Sequence, residues 1–174
     1  GITLFLVDGK SPGIGYTLLK TIASDRQCEV IFDKVKVPKK NILGEVDRGW
    51  NVIAKTLDKA AIAQCALMTG ASGQVSEMAI GYAKERVQFG RPIGTFQAIQ
   101  RRCVNMIVDL DGAKFLTYEA AWKLDKGLPC AMEASVAKGW VSEAYRRVCA
   151  EGHQIHGGIG VIMDHDMQLY SRRA

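Results

Sequence analysis

No run of 18 or more uninterrupted apolar residues occurs among the 174 residues, and no basic leader followed by an apolar stretch. The sequence therefore supports neither a membrane span nor a secretory signal, and a cytoplasmic or organelle-matrix setting is expected. Proline is scarce at 4 residues and aromatics make up 7%, which speaks against proline-rich linkers and collagen-like repeats. No Cys-x-x-Cys pair is present: Cys28, Cys65, Cys103, Cys130 and Cys149 are odd in number and widely spaced. That pattern argues against a disulfide frame or a zinc site and predicts buried, reduced thiols without assigned chemistry.

What is present suits an ordinary globular chain. Hydrophobic residues make up 48% and charged residues 24%, enough for one main core with a second small lobe. The net charge of +5 is spread over short groups such as Lys39-Lys40, Arg101-Arg102, Arg146-Arg147 and Arg172-Arg173. Without interleaved aromatics these predict solvated faces or contacts to a phosphorylated small molecule, and no nucleic-acid surface. The sequence opens on Gly1 and closes on Ala174 after a helix-like run without a glycine or proline stop, so both ends read as cut.

Short β-branched segments, Thr3 to Val7, Tyr16 to Leu19, Glu29 to Phe32 and Val35 to Val37, alternate with turn formers and predict strands over residues 1–47. Three or four strands cannot protect both faces of a sheet, so this lobe reads as the trailing part of a larger β domain. Around Gly44 to Gly49 the period changes. A first helix is expected from about Gly49 to Val87, with Ile53, Leu57, Met68, Ala71, Val75, Met78 and Tyr82 inward. Gly70 and Gly73 inside it point to close packing against a helix or ligand, since each costs about 1 kcal/mol relative to alanine. Ile99, Cys103, Met106, Leu110, Ala113, Thr117, Ala120 and Leu124 alternate by four and three, a bundle seam. A third helix is expected from about Cys130 to His153 with Val136, Trp140, Ala144 and Val148 inward, and a fourth from near His165. The fold class is thus mainly α: an antiparallel four-helix-bundle-type domain over residues 48–174, preceded by a few strands.

Two strings carry chemistry. Arg86-Val87-Gln88-Phe89-Gly90-Arg91-Pro92-Ile93-Gly94-Thr95-Phe96-Gln97 combines a helix end, a tight turn and a helix start. An arginine there can cap the helix dipole or bind a phosphate with both arms of its fork. Gln154-Ile155-His156-Gly157-Gly158-Ile159-Gly160 lets backbone approach a ligand without side-chain obstruction, or simply ends a helix. It lacks the preceding strand of a dinucleotide fingerprint and the Gly-Lys-Ser/Thr of a P-loop. Asp164-His165-Asp166, with His153 and His156 nearby, matches no zinc spacing; an aspartate there is expected to cap the last helix.

Taken together, these strings resemble the acyl-CoA dehydrogenase family. The opening adds to the likeness: Phe5-Leu6-Val7, Ser11-Pro12-Gly13 and Phe32-Asp33-Lys34-Val35-Lys36-Val37-Pro38 look like the closing strands of the family's middle β domain, and Gly44 to Trp50 like the entry to its C-terminal bundle. The resemblance implies FAD as cofactor, an acyl-CoA substrate, a homotetramer built as a dimer of dimers, and an electron-transfer flavoprotein as acceptor. It implies that Arg86, Gln88, Phe89, Phe96 and Gln97 reach the pyrophosphate and adenosine of a neighbouring subunit's FAD, with Gln154, Gly157 and Gly158 lying against the same cofactor. The family's usual base, a glutamate in a Tyr-Glu-Gly-Thr-like string, would follow Arg172-Arg173-Ala174, so no catalytic residue and no metal ligand is assigned here. Some members place the base just after an aspartate matching Asp58; here Lys59-Ala60-Ala61 follows, and Ala60 cannot take a proton. Asp58 is left as a substrate-side residue meeting the CoA portion or as a surface aspartate. Acyl-CoA oxidases and nitroalkane oxidases resemble the same scaffold, and a non-catalytic assembly subunit is a third possibility.

Overall fold

The structure, a computed structural model, describes residues 1–174 and divides into two compact units, Gly1–Leu57 and Asp58–Ala174. In the first, β1 (Leu4–Phe5) pairs antiparallel with β4 (Ile42–Leu43), and β2 (Ile14–Leu19) forms a hairpin with β3 (Gln27–Phe32) in the register Tyr16↔Val30. Almost every side chain on β2 and β3 faces solvent, Leu18 and Phe32 included, so the strands build no core of their own. Two expectations fail here. Val35 to Val37 form no strand, because Lys34 turns the chain at φ +49, Pro38 follows, and no neighbouring strand supplies a ladder. Cys28 is exposed because the whole of β3 is.

Helix α1 (Trp50–Glu85) leads to the second unit, where α2 (Gln97–Asp125), α3 (Ala131–His156) and the short α4 (Met167–Ser171) follow. Gly127, at φ +66, ends α2 and lets the chain reverse into α3 within five residues. The α2 seam is as its period predicts: Met106, Leu110, Ala113, Thr117 and Ala120 are buried, with Cys103 and Leu124 packed alongside. One cluster gathers Val75, Ala79, Met106, Val148, Ile155 and Met167; the other gathers Ile62, Cys65, Ala113, Ala137 and Val141. Side chains this small let helices approach closely and fill the gap without voids.

The inward stripes of α1 and α3 differ from expectation. On α1, Ile62, Cys65, Thr69, Ser72, Val75, Ser76, Ala79 and Ala83 are buried, while Met68, Ala71, Met78 and Tyr82 flank the core. Leu57 is exposed. On α3 the stripe runs through Ala134, Ala137, Val141, Ala144, Tyr145 and Val148, leaving Val136 and Trp140 half exposed. An indole is too large for this seam; it lies at its edge, where a Cβ on Gly112 would stand 3.0 Å from Trp140 Nε1. A Cβ added at Gly70 or Gly73 would meet no other part of the chain within 4 Å, and both line an open groove with Thr69, Ser76 and Tyr118. Ion pairs tie α2 to α3 along their length: Arg102 with Glu151, Lys123 with Glu133, and Arg147, which grips both oxygens of Asp109 at 2.7 and 2.9 Å.

One polar contact is buried between α1 and α2. The hydroxyls of Thr69 and Thr117 lie 3.1 Å apart. Thr69→Val or Thr117→Val is expected to cost about 1–3 kcal/mol by stranding the remaining hydroxyl, whereas the double variant should cost less than the two singles combined. Urea denaturation of the intact protein measures this; simple additivity would show that the hydroxyls do not depend on each other.

Candidate functional site

Arg86 is the first residue past α1. Its N–H donates to the Tyr82 carbonyl and its carbonyl accepts from the Ile93 N–H, both at 2.8 Å, so its backbone is fixed. Its guanidinium is exposed and engages in no ion pair or hydrogen bond. The chain then forms a miniature hairpin, β5 (Val87–Gln88) against β6 (Arg91–Pro92), with Gln88 opposite Arg91. Its two-residue turn, Phe89-Gly90, has φ +54 and +78, the double positive φ of a type I′ turn. Glycine takes this conformation freely; a phenylalanine held there costs about 1–2 kcal/mol. Phe89 keeps this strained conformation while 89% exposed, so no burial of its ring within the chain offsets the cost.

Side-chain contacts hold the rest of the corner. Phe96 meets Phe89 edge-on at 6.0 Å, and the Arg91 guanidinium sits 4.2 Å from the centre of the Phe96 ring. Thr95 Oγ1 donates to the Pro92 carbonyl at 2.7 Å, and Gln100 Nε2 to the Gly94 carbonyl at 3.1 Å. Gln97, at the start of α2, is exposed with its amide free.

The second string closes α3. Gly157 takes φ +62, ψ −140, a region that side-chain-bearing residues avoid, and a Cβ on Gly157 or Gly158 would meet nothing within 4 Å. A bare backbone thus faces open space. Gln154, one turn earlier, is exposed with a free amide. The turn is held from behind, where Gln168 Nε2 donates to the Gly160 carbonyl at 3.0 Å. Gly157→Ala is expected to cost about 1–3 kcal/mol, read as a lowered Tm of the intact protein; an unchanged Tm would mean that the turn tolerates a side chain.

The strings lie far apart in sequence, yet one contact joins them. Tyr82, whose carbonyl holds Arg86, stacks on His156, the residue before Gly157, with ring centroids 4.7 Å apart and planes at 24°. Asp58 is half-buried and lies down α1 from this corner, roughly 40 Å along the axis at about 1.5 Å per residue. Burial is the main cause that pushes the His156 imidazole below its ordinary pKa; the Gly152 carbonyl at 2.8 Å from Nδ1 opposes this, and His165 and His153 add to it. Burial likewise pushes the Cys149 thiol up to about 12.

The aspartate cap is a correction. Asp166 occupies the N-cap position of α4 but makes no side-chain bond; His165 Nδ1 instead accepts the Met167 N–H at 3.1 Å. Residue type alone gives Tyr82, Arg91 and His156 no place in a binding site. The available signal was position: a tyrosine one turn before Arg86 and a histidine directly before Gly157. Chemically, a free guanidinium, an exposed aromatic, the two free amides of Gln97 and Gln154 and unobstructed backbone at one end of the helices suit a phosphorylated ligand with an aromatic base.

The family model described as acyl-CoA dehydrogenase, C-terminal domain, matches residues 47–174. The chain belongs to the acyl-CoA dehydrogenase family. Among curated acyl-CoA dehydrogenase relatives, the mitochondrial short/branched chain specific acyl-CoA dehydrogenase of Bos taurus is 38% identical over 177 residues, covering 100% of this chain and 41% of its own. A 3-(aryl)acrylate reductase of Clostridium sporogenes is 39% identical over 175 residues, covering 99% and 46%. The solved butyryl-CoA dehydrogenase of Megasphaera elsdenii superposes with a TM-score of 0.93 at 33% identity, covering 99% of this chain and 46% of that one. The chain thus spans about half the length of the curated relatives it matches.

Proposed function

We propose that the protein is an FAD-dependent acyl-CoA dehydrogenase that converts an acyl-CoA thioester to its trans-2-enoyl-CoA, and that residues 86–97 and 154–158 hold the cofactor's pyrophosphate and adenosine. In that reaction the α-carbon loses a proton to a carboxylate and the β-carbon loses a hydride, which leaves the double bond. FAD supplies the hydride acceptor when bound. The observation that carries the reading is the pairing of an uncommitted Arg86 guanidinium with the glycine-only turn at Gly157, in a chain whose family model covers this region.

The residues fit such a group. A planar fork at Arg86 matches a diphosphate, bare backbone at Gly157-Gly158 admits it closely, and Phe89 offers its face to a base. Gln88, Phe96, Gln97 and Gln154 complete the contacts, and in a homotetramer built as a dimer of dimers they would serve a neighbouring subunit's FAD. Asp58 would meet the CoA portion. No residue within 1–174 is assigned the α-proton abstraction. An electron-transfer flavoprotein as acceptor, in a bacterial cytoplasm or mitochondrial matrix, belongs to the same reading; no helix is long and apolar enough to cross a membrane.

A second reading, reduction of an activated acrylate, runs the same bond change backwards and is favoured by the 39% identity to the 3-(aryl)acrylate reductase. Anaerobic addition of a saturated acyl-CoA to the intact protein should bleach the flavin band. Bleaching by no acyl-CoA, with reoxidation of the reduced protein by an arylacrylyl thioester, would favour the reductase instead.

A further inference from the structure

The Tyr82–His156 contact is part of a larger assembly that the proposed contacts to the cofactor do not use. His156 is only 5% exposed and packs against two rings: Tyr82 stacked at 4.7 Å, and His165 edge-on at 4.9 Å. Its Nδ1–H donates to the Gly152 carbonyl at 2.8 Å. His165 accepts the Met167 N–H through Nδ1, an arrangement open only to an imidazole without a proton on that atom. Gly160 folds back over the same group: a Cβ there would stand 2.9 Å from His156 Cβ and 3.4 Å from His153 Nδ1, which is itself buried without a partner. The glycine turn therefore rests on histidine rings from below, and the Arg86 corner is tied to those rings through Tyr82.

We propose that His156 is a positioning residue for the cofactor cleft: its imidazole, packed against both Tyr82 and His165, sets the spacing between the Arg86 corner and the Gly157-Gly158 turn. This rests on the reading that both segments face FAD. The titratable groups bearing on His156 are Tyr82 from α1, His153 from its own helix and His165 from the segment before α4; the turn Gly157–Val161 contributes none. No carboxylate is among them to stabilise a cation. Protonating His156 would place a charge in a buried site beside the imidazoles of His153 and His165.

Burial holds the folded pKa of His156 below the unfolded value of 6.5, so the unfolded chain binds the proton more readily. The contribution of the ring packing is therefore fully present above about pH 6.5 and is lost as pH falls through and below that value.

The test uses the intact protein, stripped of flavin and titrated with FAD between pH 8 and pH 5.5. Wild type should lose affinity on acidification below about pH 6.5, with a slope that does not exceed about tenfold per pH unit, the limit for one titrating imidazole. His156→Phe keeps a ring against Tyr82 and His165 but cannot titrate, and its affinity, whatever its level, should lose most of that pH dependence. Tyr82→Phe, which preserves the stack, should keep it. Hydrogen exchange at Gly158 to Gly160 in the flavin-free protein gives a second readout: at pH 5.5 the wild-type amides should be less protected than those of His156→Phe. An identical pH dependence in wild type and His156→Phe, or equal protection in both, overturns the proposal. A wild type that binds no FAD at any pH overturns the functional reading and this role with it, whatever the exchange shows.

Discussion

Arg86→Ala is expected to weaken FAD binding by the intact protein on the order of ten- to a hundred-fold while leaving its folding stability unchanged. A hydrogen bond to a charged group contributes about 1.5–3 kcal/mol, and each 1.4 kcal/mol is a factor of ten in affinity. The second half of the expectation follows from the structure: the guanidinium has no partner in the chain, and the hydrogen bonds Arg86 does make belong to its backbone. Arg86→Lys should fall between, because a lysine keeps the charge without the fork. A fluorescence titration with FAD beside a thermal melt checks both halves. A large fall in Tm would mean that Arg86 serves the fold instead.

Met106→Ala should do the reverse, costing about 2–5 kcal/mol of stability. Met106 is fully buried on α2 and packs in the cluster that joins α1, α3 and α4. Val108, two residues on, is 63% exposed, so Val108→Ala should stay within about 0.5 kcal/mol. Urea denaturation of the pair measures the contrast; equal costs would mean that α2 is rotated about its axis from the orientation described.

Legibility followed locality. The seam of α2 could be read because its buried residues are spaced by the helix period and flanked by clear stops, Gly127 above all. The α3 stripe was half missed, since Trp140 and Val136 outrank Ala137 in hydrophobicity; the close approach of the two helices selects the small residue, and that approach is a tertiary fact. The lobe's strands were legible in place and wrong in extent at Val35 to Val37, where a partner strand, not propensity, decides.

The site divides the same way. Arg86, Gln88, Phe89, Phe96 and Gln97 announce themselves as chemistry in one short string, as do Gln154, Gly157 and Gly158 in another. What no local pattern shows is that Tyr82 and His156 bring the strings together, or that Phe89 is held at positive φ in a turn glycine would fill more easily. Both concern how side chains far apart in sequence come to share space.

The most direct measurement is a structure of the intact, flavin-loaded protein. The diphosphate oxygens should lie about 2.7–3.2 Å from the Arg86 guanidinium, with the same ligand in van der Waals contact with the Gly157-Gly158 backbone. A dinucleotide bound elsewhere, with both segments open to solvent, would contradict the account.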